Sequence, residues 1–347
     1  MLTKISQFLS HIPSLVYLWV AVLIFAASNS VTRKIIELGE HHLVNGRNPI
    51  SLCNVLFVGN ICAFLVMISI FYSEWKPRKL KNLTRGDWIS LTIIGSLSGA
   101  IAPALIFTAL DQTNVTNVVL IGRLEPPLTL ALSVWLLGVR VNFWTVVSSL
   151  MTLVGVLTTA FLGSSGQAIA TMGGLHLGKG ELEIALAAII LSVATVISKS
   201  RLKSIPIGIF SIYRTVIGTV IFFILANALY GSHHFSDAFS PYLWAWMFLY
   251  ATVIVVVGQL CWFAGLRNAT SKDTTLASSF NPIAAIFMAY LILGEMPSPA
   301  QYLGGSIILA GIFLSLIGNF TYTKNKNLSS RSSLINAMEM AIGFRGI

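Results

Sequence analysis

The chain has 347 residues, 55% of them hydrophobic and only 10% charged, with a formal net charge of +10 and a mean hydropathy of +0.81. That composition excludes a water-soluble globule. The basic residues sit in short segments beside apolar runs and not on a soluble face, so the charge gives no support to nucleic-acid binding.

Crossing about 30 Å of hydrocarbon takes about 20 apolar residues. Runs of this kind stand at Leu15–Val31, Ile50–Tyr72, Trp88–Leu110, Val115–Leu137, Phe143–Leu162, Glu183–Ser198, Gly208–Tyr230, Tyr242–Leu266, Thr274–Leu293 and Ala300–Asn319. They are apolar on every face, whereas barrel strands would alternate, so the expectation is an all-α membrane protein with ten transmembrane helices in the lipid bilayer. Ala26-Ala27-Ser28 resembles a cleavage site, but removing the first run would leave an unmatched half, so it is read as a retained span. Cys53 and Cys62 are nine residues apart on a helix and point to opposite sides; with Cys261 they are read as packing residues. With the amino terminus inside, Lys4, Lys76, Arg78, Lys79, Lys81, Arg85, Arg140, Lys199, Arg201, Lys203, Arg267, Lys272 and the basic residues of the tail fall on the cytoplasmic side. Only Arg33, Lys34, Arg47 and Lys179 fall on the other. Both termini are therefore expected in the cytoplasm, and the membrane is expected to be the cytoplasmic membrane of a prokaryote.

The expected organisation is a five-helix repeat over 1–162, a glycine-rich external linker over 163–182, a second five-helix repeat over 183–320 and a cytoplasmic tail over 321–347. Six glycines in Gly163–Gly180 suggest a connector without regular structure. Trp75, Trp88, Trp144 and Trp244 fall near span ends, where indoles anchor at headgroup level.

The halves repeat. Phe107–Val156 lies over Phe263–Ile312 at a constant offset of 156 residues, pairing Pro126 with Pro282, Leu137-Gly138 with Leu293-Gly294 and Gly155 with Gly311. Five spans separate the copies, so they must cross the bilayer in opposite directions. Inverted repeats of this kind are the architecture of secondary transporters, with the binding site between the halves near the midplane.

The chemistry is concentrated at Arg123-Leu124-Glu125-Pro126-Pro127, about eight to twelve residues into the fourth span and near the bilayer centre at about 1.5 Å per residue. A charge at that depth costs at least about 2.5 kcal/mol and faces protein or a water-filled cavity. Pro126 and Pro127 cannot donate to the carbonyls of Gly122 and Arg123, so the helix should break there, and Pro282 should break its counterpart. Arg123 and Glu125 either lock neighbouring helices together or handle substrate and protons. Glu125 is the one acid placed well inside a span. Arg214 is shallow enough to snorkel. Asn117, Gln259, Trp262 and Asn281 complete the candidate substrate-binding residues; each polar one could equally be a helix-to-helix hydrogen bond. Gly95, Gly99, Gly304 and Gly311 should let helices approach closely. His41-His42 and His233-His234 lack a third ligand, so no metal is expected. No P-loop, zinc-protease motif or nucleophile elbow is present, which leaves ATP-driven transport, catalysis and a cofactor without support.

At Glu125-Pro126-Pro127-Leu128, Leu136-Leu137-Gly138-Val139-Arg140 and Gly155, paired with Asn281-Pro282-Ile283, Leu293-Gly294-Glu295, Gly304-Gly305 and Gly311, the chain resembles the drug/metabolite transporter superfamily, specifically its EamA-type ten-helix permeases. The resemblance covers about Leu15 to Asn319. It implies movement of a small metabolite by uniport, exchange or proton linkage through a central cavity between the halves. Two positions depart from the family pattern. Val139 stands where an acid often follows the glycine, leaving Glu295 alone in that role, and Phe57 stands where an arginine would match Arg214. The rival expectation is a non-transporting sensor or assembly protein on the same scaffold.

Overall fold

A computed structural model describes residues 13–43, 48, 50, 52–72, 75, 80–81, 83–138, 141, 143–162, 168–172, 175–201, 205–230, 239–268 and 271–323. Among them the chain forms α1 (Ser14–Glu40), α2 (Leu52–Phe71), α3 (Arg85–Gln112), α4 (Val115–Leu137), α5 (Phe143–Leu162), α6 (Lys179–Arg201), α7 (Ile207–Tyr230) and α10 (Pro299–Thr323). Between α7 and α10, α8 runs from Pro241–Tyr250 through a wider π turn, Ala251–Val257, into Gly258–Asn268, and α9 comprises Ser271–Ser279 and Asn281–Leu293. Six of these helices are long and apolar enough to cross a membrane, and shorter apolar stretches occupy α2, α7, α8 and α9. Large apolar side chains such as Trp135, Phe143, Phe248 and Phe287 lie exposed on the outside, as a bilayer-facing surface requires.

Several helices outrun the hydropathy limits. α1 continues nine residues past Val31, so Arg33 and Lys34 belong to its last turns and not to a loop. α6 begins at Lys179, and the glycine-rich linker expected to be irregular instead pairs Ala168–Met172 (β1) with Leu175–Gly178 (β2) as an antiparallel hairpin. The reason is local: Ile169, Thr171, Met172, Leu175 and Leu177 favour extended pairing, and the ladder satisfies backbone groups that the glycines alone would leave to solvent.

Breaks recur at equivalent positions. In α4 the helix tightens to a 3₁₀ turn over Gly122–Leu124 before restarting at Glu125–Leu137. In α9 the break falls at Phe280, before Asn281–Leu293. α3 carries a π turn at Leu97–Ile101, which shifted by 156 residues (97 + 156 = 253, 101 + 156 = 257) lands inside the π turn of α8. The paired glycines have a backbone purpose: Gly138 and Gly294 end α4 and α9 with φ of 62° and 71°, a left-handed cap that side chains with a Cβ resist. Among the described residues these are the glycines with positive φ.

Two large cores mix both halves. One joins α1, α2, α3, α7 and α8 through residues such as Ile35, Val58, Phe107, Ile212 and Met247. The other surrounds the first two turns of α4, where Val115–Ile121 are all buried, with Ile106 of α3, Val156 of α5, Leu191 of α6, Ala285 of α9 and Ile308 of α10. Trp75, Trp88 and Trp244 pack against these and a third core, with Trp88 set edge-on to Tyr213 at 5.0 Å, so of the four expected anchors Trp144 is the one largely exposed.

α5 and α10 pack backbone to backbone. A Cβ added at Gly155 would lie 2.6 Å from the Gly304 carbonyl oxygen and 2.7 Å from Ile308 Cγ1, and one at Gly311 would lie 2.9 Å from the Ser148 carbonyl. Gly99 of α3 meets the Arg214 carbonyl of α7 in the same way. This is the small-residue packing that membrane helices use in place of a hydrophobic drive. Gly155→Val should therefore force the two helices apart and cost about 1–3 kcal/mol; a lowered thermal unfolding midpoint in detergent checks this, and an unchanged midpoint contradicts it.

Candidate functional site

The 3₁₀ turn of α4 follows from its sequence. Pro126 and Pro127 stand in the first turn of the second α4 segment, where a missing N–H costs nothing and the fixed φ suits a helix start. The Gly122 carbonyl, expected to be left free, accepts the N–H of Glu125 instead, because the chain tightens from four-residue to three-residue hydrogen bonding. Arg123 and Glu125 sit half-buried at this break. α6 supports it: Thr195 Oγ1 donates to Glu125 Oε1 at 3.4 Å, and Ser192 Oγ donates to the Glu125 backbone carbonyl at 3.1 Å.

Asn281 occupies the place of Glu125 in the second half (125 + 156 = 281), with Pro282 buried behind it. Its Oδ1 is buried without a hydrogen-bond partner. Trp262 of α8 is 2% exposed among Leu18, Ala21, Val22 and Ala277, and its Nε1 is likewise without a partner. Ala277 and Ala284 of α9, on either side of the second break, pack in the same cluster as Trp262 and α1. The Gln259 side chain lies outside the described residues.

Two candidates lie elsewhere. Arg214 does not snorkel: it is 6% exposed, pressed against Gly99, with Nη1 reaching the Ser98 carbonyl at 3.5 Å. The π turn of α3 exposes that carbonyl and gives the guanidinium a partner within the protein. Asn117 belongs to a polar network at the helix ends. Its Nδ2 donates to Glu181 Oε1 at 2.8 Å and to Thr113 Oγ1 at 3.0 Å, Thr113 Oγ1 donates to the same Glu181 oxygen at 2.6 Å, and Gln301 Nε2 donates to Asn117 Oδ1 at 2.6 Å.

Glu125 is thus not the one acid inside the helical body, since Glu181 is only 1% exposed. Beside it Glu295 caps the start of α4, accepting the N–H groups of Val115 at 3.1 Å and Thr116 at 3.3 Å. Arg33 Nη1 stands 4.0 Å from Glu295 Oε1 while donating to the carbonyls of Leu110 at 2.9 Å and Thr113 at 2.7 Å. Sequence reasoning passed over Arg33, Thr113, Glu181 and Gln301. The signals for this group were Asn117, read as a polar residue in a span, and Glu295, the acid following the second-half glycine. Among the described residues no three His, Cys, Asp or Glu side chains gather as a metal site would need, and His42 stacks on Tyr242 at 4.6 Å.

A helical body with an apolar exterior, helices broken at matched positions and charged residues at one break is that of an integral membrane protein. The model of the EamA-like transporter family matches twice, over residues 12–161 and 178–317, and the chain belongs to that family. It is 51% identical over 340 residues to the transporter sll1164 of Synechocystis sp., covering 98% of this chain and 97% of the relative. It is 25% identical over 267 residues to the riboflavin transporter ImpX of Fusobacterium nucleatum subsp. nucleatum, covering 72% of this chain and 83% of that one. A transporter of Clostridium kluyveri is 22% identical over 279 residues, 80% of this chain and 88% of its own. A solved structure shares the fold at a TM-score of 0.56 and 17% identity, over 89% of this chain and 98% of its own.

Proposed function

We propose that the protein is a secondary transporter that moves a small polar metabolite, such as an amino acid or a related organic anion, across the cytoplasmic membrane by alternating access. The observation that carries this reading is the pair of helix breaks at matched positions, with Arg123 and Glu125 at one and Asn281 at the other. Broken helices in the two repeats are where inverted-repeat carriers build their sites. In this reading Arg123 receives the anionic group through its planar fork, Asn281 and Trp262 supply further polar contacts, and Glu125 links substrate to protons. The orphaned Asn281 Oδ1 and Trp262 Nε1 support it, because a buried acceptor and a buried donor without partners cost stability that a bound polar ligand would restore.

The first test is a thermal-shift screen of the purified protein against amino acids, organic acids and riboflavin, the last included because one relative carries that name. A ligand present at about 100 times its Kd should stabilise by about 2.7 kcal/mol. At least one carboxylate should raise the unfolding midpoint of the native protein and fail to raise that of Arg123→Ala. If no compound does so, the carrier reading loses its ligand, and a non-transporting scaffold becomes the better description.

The same reading puts both termini in the cytoplasm, with the two halves as inverted copies, because the basic residues gather beside one set of helix ends. Single cysteines at Lys79 and Lys203 should then be shielded from a membrane-impermeant thiol reagent in intact cells, while cysteines at Gly174 and Ser236 react. Labelling of the first pair from outside would reverse the orientation.

A further inference from the structure

The bonds around Glu181 and Glu295 share a property that local helix packing does not require. Thr113 and Asn117 to Glu181, Gln112 to Glu183, Gln301 to Asn117, Val115 and Thr116 to Glu295, and Arg33 to Glu295 each join the first family-matched segment to the second. All lie where α3 and α9 end and where α4, α6 and α10 begin, with Arg33 in the final turns of α1, so they gather at one end of the helical body. The middle of the group is closed to solvent: Asn117, Glu181, Gln301 and Thr113 are between 0% and 4% exposed.

The seal is also incompletely satisfied. Glu181 Oε2 and Glu183 Oε2 are buried and accept no hydrogen bond. Burying a carboxylate oxygen without a donor is unfavourable, and opening this end to water would relieve it. On parting, these groups exchange protein hydrogen bonds for water, whereas the apolar core that adjoins them around the first two turns of α4 would lose burial. Polar closure that releases buried acceptors suits a contact made and broken repeatedly, with its two states near balance.

We propose that Asn117, Thr113, Glu181 and Gln301, with the Arg33 and Glu295 pair beside them, form the latch that shuts one mouth of the transport pathway and parts in each cycle. By the charge asymmetry this is the external mouth. The inference rests on the alternating-access reading and assigns to it the moving contact. Asn117 thereby acts in closure and not in substrate binding.

Gln301 offers a probe that spares the helix. Its Oε1 accepts the Ser298 N–H at 2.7 Å and Ser298 Oγ accepts the Gln301 N–H at 3.3 Å, a reciprocal cap of α10. Gln301→Glu keeps the capping oxygen but removes the donor to Asn117. Asn117→Asp keeps the acceptor for Gln301 but removes the donor to Glu181 and sets two carboxylates together. The reporter is Thr116→Cys, 1% exposed beside the latch, in a background with Cys53, Cys62 and Cys261 changed to Ala. A membrane-impermeant thiol reagent is applied to right-side-out and to inverted vesicles.

Losing a buried neutral hydrogen bond shifts such an opening equilibrium by up to about tenfold. Gln301→Glu, which also sets a carboxylate oxygen against Asn117 Oδ1, should therefore raise the labelling rate by at least about tenfold from the latch face alone, and Asn117→Asp should raise it too, with the Gln301→Glu protein still eluting as a folded species by size-exclusion chromatography. Unchanged labelling in folded Gln301→Glu protein overturns the latch, as does equal acceleration from both faces, which would report general loosening. If Asn117→Asp does not fold, Gln301→Glu alone decides. Substrate efflux that still depends on Arg123 while labelling stays unchanged would remove the latch and leave the carrier reading intact.

Discussion

Arg123→Ala is expected to abolish transport while leaving the folded yield close to that of the native protein. The guanidinium stands at the 3₁₀ turn between two α4 segments, half-buried, in a segment whose shape is fixed by Pro126 and Pro127 and by the Glu125 N–H to Gly122 carbonyl bond. None of those determinants involves the Arg123 side chain, so its truncation should not unmake the break. Truncating one partner of a desolvated charged contact costs about 2–5 kcal/mol, a loss of about 30-fold to several thousand-fold in apparent affinity. Arg123→Lys should recover part of this, since an ammonium keeps the charge but not the planar two-point contact. Collapse of the folded yield in Arg123→Ala, read by size-exclusion chromatography, would mean that Arg123 holds helices together and does not receive substrate.

Glu125→Gln should separate substrate movement from its driving force. Glu125 Oε1 accepts from Thr195, and its backbone carbonyl from Ser192, so the carboxyl is positioned by α6 as well as by its own helix. A glutamine retains an acceptor for Thr195 and mimics the protonated acid. If Glu125 carries the coupled proton, the variant should still bind and exchange substrate but lose its response to an imposed pH gradient. If the Arg123 and Glu125 side chains meet in the resting protein, a substrate that draws Arg123 away leaves Glu125 less compensated and readier to take a proton. Accumulation of substrate driven by an imposed pH gradient in reconstituted Glu125→Gln protein would sink the coupling proposal and leave Glu125 as a partner of α6.

What could be read from the sequence was whatever a residue's own chemistry dictates. A proline cannot donate an N–H, so the breaks before Pro126 and Pro282 were visible; Gly138 and Gly294 were visible only as a pair in the repeat, and their left-handed caps came from the structure. The close approach of α5 and α10 was likewise legible in Gly304 and Gly311. The π turns were not, because Leu97–Ile101 and Ala251–Val257 share no residue pattern; a register slip of this kind is set by the packing of neighbouring helices. Hydropathy also cut helices short. It cut α1 before Arg33 and began α6 after Glu181, because it treats a charged residue as the end of an apolar run. The helices run on through both residues, held by partners remote in sequence: the carbonyls of Leu110 and Thr113 hold Arg33, and Thr113 and Asn117 hold Glu181. For the same reason Asn117 was grouped with Arg123, though its bonds tie it to Glu181 and Gln301 at the helix ends.

The most direct measurement loads proteoliposomes with a defined pool of amino acids, organic acids and riboflavin and follows efflux of each compound by mass spectrometry. Native protein should release at least one carboxylate at least about 30-fold faster than Arg123→Ala protein reconstituted at the same density. Efflux no faster than from empty vesicles for every compound, or equal efflux through both proteins, would contradict a carrier with its site at the α4 break.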